Sequence, residues 1–305
     1  MKHSVSVVLV LLALFLSAQL IGLLVVHFYV DVSASAKASA EAGEPVTVYS
    51  DLPYGVERPA IAPDSSFIFL SVAIVAGTAL MLLLMRFRVV SLWKLWFFGA
   101  LVITLGMAFS AFLPAAIAGV ISVIIAFFRV IRPNVLVHNI SELFVYGGLA
   151  AIFVPMLSVK SAFILLAIIA AYDIFAVFMS QHMVSLARFQ TENRLFAGLF
   201  VPKQLSAKAV ISPIPASIKQ QPKEAKETCS DSGSYAIVGG GDIGFPILFA
   251  GAAMAVFGFK AFVIPIFSTA ALAVLFAISK KGRFYPAMPF IAVGCFAGYA
   301  ILQMV

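Results

Sequence analysis

Charge is what this sequence has least of. Only 11% of its 305 residues are Asp, Glu, Lys or Arg, against 63% apolar, where a soluble domain carries roughly 25% and 45–50%. So few charges cannot cover a water-facing surface, and lipid is the solvent for most of the chain. Cysteine is scarce too: Cys229 and Cys295 are the only 2, which excludes a disulfide framework and a cysteine metal site. The 4 histidines, His3, His27, His138 and His182, are nowhere spaced as His-Glu-x-x-His, so zinc hydrolysis of that kind is excluded. No span-buried histidine faces a Gly-Ser motif, which argues against Ser-His catalysis. The net charge of +7 is spread over short loops rather than clustered; that pattern orients a membrane protein and does not point to nucleic acid. No internal repeat suggests the inverted halves of a transporter.

What is present is apolar sequence in long runs. A bilayer core needs about 20 mostly apolar residues per helix, and nine such runs occur, at about 4–30, 66–85, 92–112, 114–128, 139–157, 160–180, 242–259, 261–279 and 286–304. The expected fold class is therefore all-α, a polytopic membrane protein with nine transmembrane helices. Its expected organisation is a six-helix bundle over 1–180, a loop or linker over 181–238 and a three-helix bundle over 239–305. Pro114 separates the third run from the fourth, and Arg129, Arg132 and Pro133 close the fourth. Asn139-Ile-Ser-Glu142 has the form of a capping box opening the fifth. Trp93 and Trp96 stand where interface aromatics belong. The first run continues to about Val30, too long for the apolar core of a cleaved signal peptide, and is expected to stay as a helix.

Of the 20 Lys and Arg, only Lys37, Arg58, Lys160 and Lys260 fall on the side opposite to the rest. That asymmetry predicts a cytoplasmic N-terminus and an outside C-terminus. Residues 31–65 are then an outside loop, and 181–238 a long inside one. The first half of the inside loop, to about Lys203, mixes Leu186, Phe189, Leu195, Phe196 and Leu199 with charges, as an amphipathic surface helix would. From Gln204 to Ser234 the composition is that of a disordered linker.

Three acidic residues lie near apolar runs: Glu142, Asp173 and Asp242. Glu142 has a bland role available as a helix cap near the inner interface. Asp173, in Ile-Ala-Ala-Tyr172-Asp173-Ile-Phe, has no such role, and an ionisable group inside a span costs several kcal/mol unless protonated, paired or wetted. Asp242 follows Gly239, Gly240 and Gly241 at the start of the seventh run; in isolation it reads as a cap as readily as anything else. Depth brings the two together. Asp173 lies roughly 20 Å from the outer end of its span at the helical rise per residue, and the seventh span begins at the inner face, so both fall in the inner half. Paired carboxylates share a proton because two close like charges do not both ionise cheaply; one then serves as general base on water and the other as general acid. The glycine run lets the backbone approach a substrate strand or adopt positive φ.

Tyr172-Asp173, Gly239-Gly240-Gly241-Asp242 and Pro286-Ala287-Met288, each in its own span, resemble the YD, GxGD and PAL motifs of the presenilin and signal peptide peptidase family. The order of the motifs, the long intervening loop and the nine spans agree with it over nearly the whole chain. The resemblance implies a presenilin-like fold and a GxGD-type intramembrane aspartyl protease that cuts transmembrane helices of other proteins. It assigns catalysis to Asp173 and Asp242, with Tyr172, Gly239, Gly240, Gly241, Pro286, Ala287 and Met288 around the substrate. Met288 stands where the family has leucine, a change that keeps volume and apolarity. The predicted orientation is similar to that of presenilins, and the form to a compact microbial homologue acting in a cell membrane without obligate partner subunits. Its expected partners are lipid and transmembrane substrates with N-terminus out and C-terminus in; no nucleic acid, metal or cofactor is expected.

Tyr235-Ala-Ile-Val238 is a short β-prone stretch, read equally as an ordinary loop or as an edge for an unwound substrate strand. Lys280, Lys281 and Arg283 are anchoring charges close to the third motif. Prepilin peptidases share a Gly-x-Gly-Asp motif, but Ile243-Gly244-Phe245-Pro246 lacks the lysine expected soon after it. The rival of another class is a proton-coupled transporter or channel with the two aspartates as a relay, an idea that Pro155, Pro246 and Pro265 within the spans suit as well.

Overall fold

Backbone polar groups in lipid must be satisfied within their own segment, and this chain meets that demand with long, predominantly apolar helices. The computed structural model describes residues 4–43, 46–87, 90–132, 134–179, 196–202, 235–279 and 285–304. Among these, nine apolar helices form the bundle: α1 (Val5–Phe28), α3 (Ser66–Arg86), α4 (Val90–Ser110), α5 (Ala115–Ile131), α6 (Val135–Phe153), α7 (Val159–Met179), α8 (Gly240–Phe257), α9 (Val263–Ile278) and α10 (Met288–Leu302). A short polar helix, α2 (Val32–Ala42), lies between α1 and α3. The bounds follow the apolar runs closely, and the long stretch Gly240–Ile278 supplies two helices by turning back at Gly258–Phe262.

The fifth span departs from expectation. It starts at Val135, where Asn134 Oδ1 accepts the Val137 N–H at 2.7 Å, so Asn134 is the cap. Asn139 and Glu142 therefore sit inside α6, and Glu142 is not a capping residue: it is buried and paired with Arg129. Asn134-Val-Leu-Val137 has a favoured cap residue but lacks the Glu that completes a capping box at Asn139, so local pattern favours the wrong asparagine and the apolar Val135–Val137 turn decides the start.

One apolar core runs through the bundle. Val7, Leu11 and Phe15 of α1 join Tyr146 and Ala150 of α6, Ile243 and Ile247 of α8, Ile264 of α9 and Ile291 of α10. Lipid supplies no hydrophobic drive between helices, so close approach through small residues takes its place. A Cβ at Gly148 of α6 would overlap the Thr104 carbonyl of α4; one at Gly294 of α10 would come 2.6 Å from the Phe267 carbonyl of α9.

The end of the bundle beyond α1 is tied by residues 29–43 and 46–65, a strap rather than the plain loop expected. Asp31 caps α2 by accepting the Ala34 N–H at 2.9 Å, and Gly43, at φ 73°, ends it. Three side chains of the strap donate to carbonyls in the last turns of three different helices: Tyr29 to Met107 (2.8 Å), Arg58 Nε to Ala151 (3.4 Å) and Thr47 to Ala255 (2.7 Å). Carbonyls at helix C-termini are short of N–H partners from their own helix, and side chains of this kind supply donors there. At the opposite end, β1 (Gly198–Pro202) and β2 (Tyr235–Gly239) form an antiparallel pair with Gly198 opposite Gly239 and Phe200 opposite Ile237. Residues 198–202 are thus strand, not the surface helix expected; the rest of that expected helix and the linker lie outside the described residues.

Candidate active site

The hairpin runs directly into α8, and this junction places Asp242. Gly239 is both the last residue of β2 and the N-cap of α8, with extended φ −67° and ψ 151°. Asp242 lies in the first turn, half-buried, its carboxylate folded back so that a Cβ at Gly239 would sit 3.3 Å from Oδ2. The Gly240 N–H donates to the Ala197 carbonyl at 3.1 Å, which carries the ladder one step into the helix. None of Gly239, Gly240 and Gly241 has positive φ. Conformational freedom is therefore not what glycine supplies here; at Gly240 it is space, because a Cβ would come 2.6 Å from the Tyr146 hydroxyl. Gly198, at φ 142°, needs glycine on both counts, since a Cβ there would meet the Val238 carbonyl.

Asp173 stands on α7, which packs against both α8 and α10. Its Oδ2 accepts the backbone N–H of Met288, the first residue of α10, at 3.0 Å. A helix N-terminus, with unsatisfied N–H groups, is a natural seat for a carboxylate. Pro286 and Met288 are buried and Ala287 half-buried, so the third motif is a packed turn that aims this N–H at Asp173. Tyr172, Ile174 and Phe175 beside Asp173 are each about half exposed, at 51%, 44% and 53%, which leaves this face of α7 open. Asp173 and Asp242 lie within electrostatic reach of each other across the α7–α8 contact. Two carboxyl groups so placed can hold one proton between them and act as acid and base together.

The strand beside this pair has one edge occupied. Asn139 of α6 takes both backbone groups of Phe200, donating to its carbonyl at 2.6 Å and accepting its N–H at 3.0 Å. Phe200 therefore faces away from β2, and by antiparallel alternation its opposite residue, Ile237, directs its N–H and carbonyl away from β1.

Five residues around the hairpin escape a reading of the sequence for function: Arg129, His138, Asn139, Glu142 and Tyr146. Arg129 is 2% exposed and Glu142 1%, and the two form an ion pair. The guanidinium also donates to Ser141 Oγ (2.6 Å) and to the Phe196 carbonyl (3.4 Å), and lies over the Phe97 ring. The Tyr146 hydroxyl donates to the other Glu142 oxygen, and His138 Nε2 donates to the Gly198 carbonyl at 2.7 Å. Arg129 counts in sequence only as a loop charge closing a span. The available signal is the i,i+4 spacing of Glu142 and Tyr146, which puts an acid and a phenol on one face of a helix. Among the described residues no three His, Cys, Asp or Glu converge as metal ligands would.

A family model described as signal-peptide peptidase, presenilin aspartyl protease matches residues 12–305. No curated protein sequence matches significantly. Two solved structures, both of a presenilin family intramembrane aspartate protease, are similar to this chain throughout. The one in space group C222 has a TM-score of 0.61 at 17% identity, covering 97% of this chain and 98% of the other. The one in space group P2 has a TM-score of 0.62 at 17% identity, covering 97% of each. At such identity the likeness concerns the fold.

Proposed function

The chain belongs to the signal-peptide peptidase and presenilin family of aspartyl proteases, multi-pass membrane proteins, and from that premise we propose that Asp173 and Asp242 are its catalytic pair, cutting peptide bonds within transmembrane helices. The observation that carries this reading is the meeting of the three motifs: α7 and α8 bring the aspartates within reach of each other, and the Pro286–Met288 turn seats Asp173.

The pair holds one proton. The ionised carboxylate takes a proton from water as the water oxygen bonds to the scissile carbonyl carbon, and the protonated one gives its proton to the carbonyl oxygen. Collapse of the resulting diol breaks the C–N bond: the nitrogen leaves with the proton the pair holds, a diol hydroxyl returns its proton to the pair as the carbonyl re-forms, and one proton is again shared. The pair titrates as a unit, so neither residue has a fixed role. A substrate helix must unwind before its carbonyl is reachable, and the edge of β2 at Ile237 suits the unwound strand. Met288, in place of leucine, is buried in the turn that seats Asp173. The charge asymmetry of the loops supports an N-terminus inside and a C-terminus outside, with substrates oriented N-terminus out; no partner subunit is needed by this mechanism.

Purified protein incubated with a fluorescent transmembrane peptide tests the reading. Asp173→Ala and Asp242→Ala each lower the rate by roughly 10²–10⁴-fold, and the rate of the unaltered protein falls at both acid and alkaline extremes. Cleavage that survives either substitution sinks the assignment; proton-coupled uptake into proteoliposomes without cleavage favours a transporter instead.

A further inference from the structure

Tyr146 is buried, and its ring lies along the first turns of α8. A Cβ built at Gly240 would stand 2.6 Å from its hydroxyl oxygen and 3.3 Å from Cε1 and Cζ; one built at Gly244, the next turn along, would stand 3.5 Å from Cδ1. The hydroxyl is not free to swing away, because it donates to Glu142, whose other oxygen is held by Arg129. The same Arg129 grips the Phe196 carbonyl, and the adjacent Ala197 carbonyl accepts the Gly240 N–H. Gly240 is thus fixed twice from one polar cluster, through the tyrosine on its α-carbon side and through the hairpin on its N–H side. Asp242 follows two residues later on the same turn and lies within electrostatic reach of the Tyr146 hydroxyl.

We propose that Tyr146 is a positioning residue for Asp242: clamped by the buried Glu142–Arg129 pair, it sets how closely the first turn of α8 approaches α6 and so where the Asp242 carboxylate stands. The inference rests on the reading of Asp242 as catalytic. It gives the second glycine of the Gly239–Gly241 run a task distinct from making room for substrate. It also explains why an ion pair is kept in an apolar bundle. A hydroxyl bonded to an ionised, anchored acceptor has a defined position, whereas a tyrosine in a purely apolar pocket has only the tolerance of its packing.

The experiment is a double-substitution cycle with the purified full chain and the fluorescent transmembrane peptide, with thermal unfolding recorded for every variant. Gly240→Ala pushes the turn off the hydroxyl and lowers kcat by about 100-fold, as a displacement near 1 Å does. Tyr146→Phe lowers kcat by about tenfold with KM unchanged, since the ring stays but loses its anchor. The two together recover to within about threefold of Tyr146→Phe alone, because the freed ring yields to the new methyl group. Tyr146→Leu, which removes the ring end altogether, reads the same coupling should the phenylalanine variant not be recovered folded. A double variant as inactive as Gly240→Ala alone overturns the inference and leaves Gly240 a substrate-facing residue; so does an effect of Tyr146→Phe on KM alone. Asp242→Asn in the same assay separates the two levels. If it still cleaves, the catalytic assignment fails; if it is inactive and the cycle shows no coupling, only the role of Tyr146 fails.

Discussion

The two ends of the bundle bury polar side chains in different ways. At the strap end, Tyr29, Thr47 and Arg58 each donate to a carbonyl in the last turns of another helix, and the acceptors are neutral backbone. At the hairpin end, Arg129, Glu142, Tyr146 and His138 form a cluster in which a cation meets an anion out of water. The first arrangement satisfies groups that would be left over in any bundle, and each bond stands nearly alone. The second adds two charges that an apolar packing would not need, and each member depends on the others. Stability explains the strap; only placement of the hairpin and the turn after it explains the cluster.

Breaking the ion pair is the most severe test of that contrast. Glu142→Gln leaves the Arg129 guanidinium buried without its counter-charge, and unfolding in detergent should show a loss of about 3–5 kcal/mol. Replacing both partners, as Arg129→Met with Glu142→Leu, should cost less stability than Glu142→Gln alone, yet still depress activity. At the strap, Arg58→Met removes donors to Ala151 and Ser50 and should cost about 1–3 kcal/mol, with kcat little altered. Equal losses at the two ends, or equal effects on kcat, would erase the distinction.

Alkaline pH should loosen the strap before the hairpin. Burial pushes Tyr49 and Tyr29 each up to about 12 from an ordinary 10. A raised folded value means that the phenols favour the folded state fully below pH 10 and lose that contribution as pH rises towards 12. Hydrogen exchange should show amides of residues 46–58 losing protection first in that window. Met288→Leu conserves volume and should shift stability by less than about 1.5 kcal/mol, changing mainly which peptides are cut. Asp31→Ala is the mildest change. The Ala34 N–H, and then Ser33, hold the Asp31 carboxyl below its usual range, so its cap on α2 is present at neutral pH and fades as pH falls through that lowered value. Circular dichroism and Tm should barely move, and only α2 amides should exchange faster.

Much of this was legible in the sequence. The nine spans could be read from length and apolarity because lipid demands both, and a single Asp173 among apolar neighbours announces itself for the same reason. The strap helix α2 was not legible: Val32–Ala42 is rich in Ser and Ala with no apolar stripe, and the helix is visible only once Asp31 and Gly43 are seen as its ends. The strand at Gly198–Pro202 was equally hidden, because its partner lies over thirty residues away and pairing of that kind leaves little local trace.

Composition and spacing by themselves determined that this chain lives in lipid and how many times it crosses, and they set the expectation that Asp173 and Asp242 lie at similar depth. Only the tertiary structure decided what Glu142 does, why Gly240 is glycine, and that the Pro286–Met288 turn delivers an N–H to Asp173. The physical reason is that depth and burial are properties of one helix in a medium, readable along the chain, whereas a hydrogen bond or a missing Cβ answers to whatever residue a distant helix brings alongside.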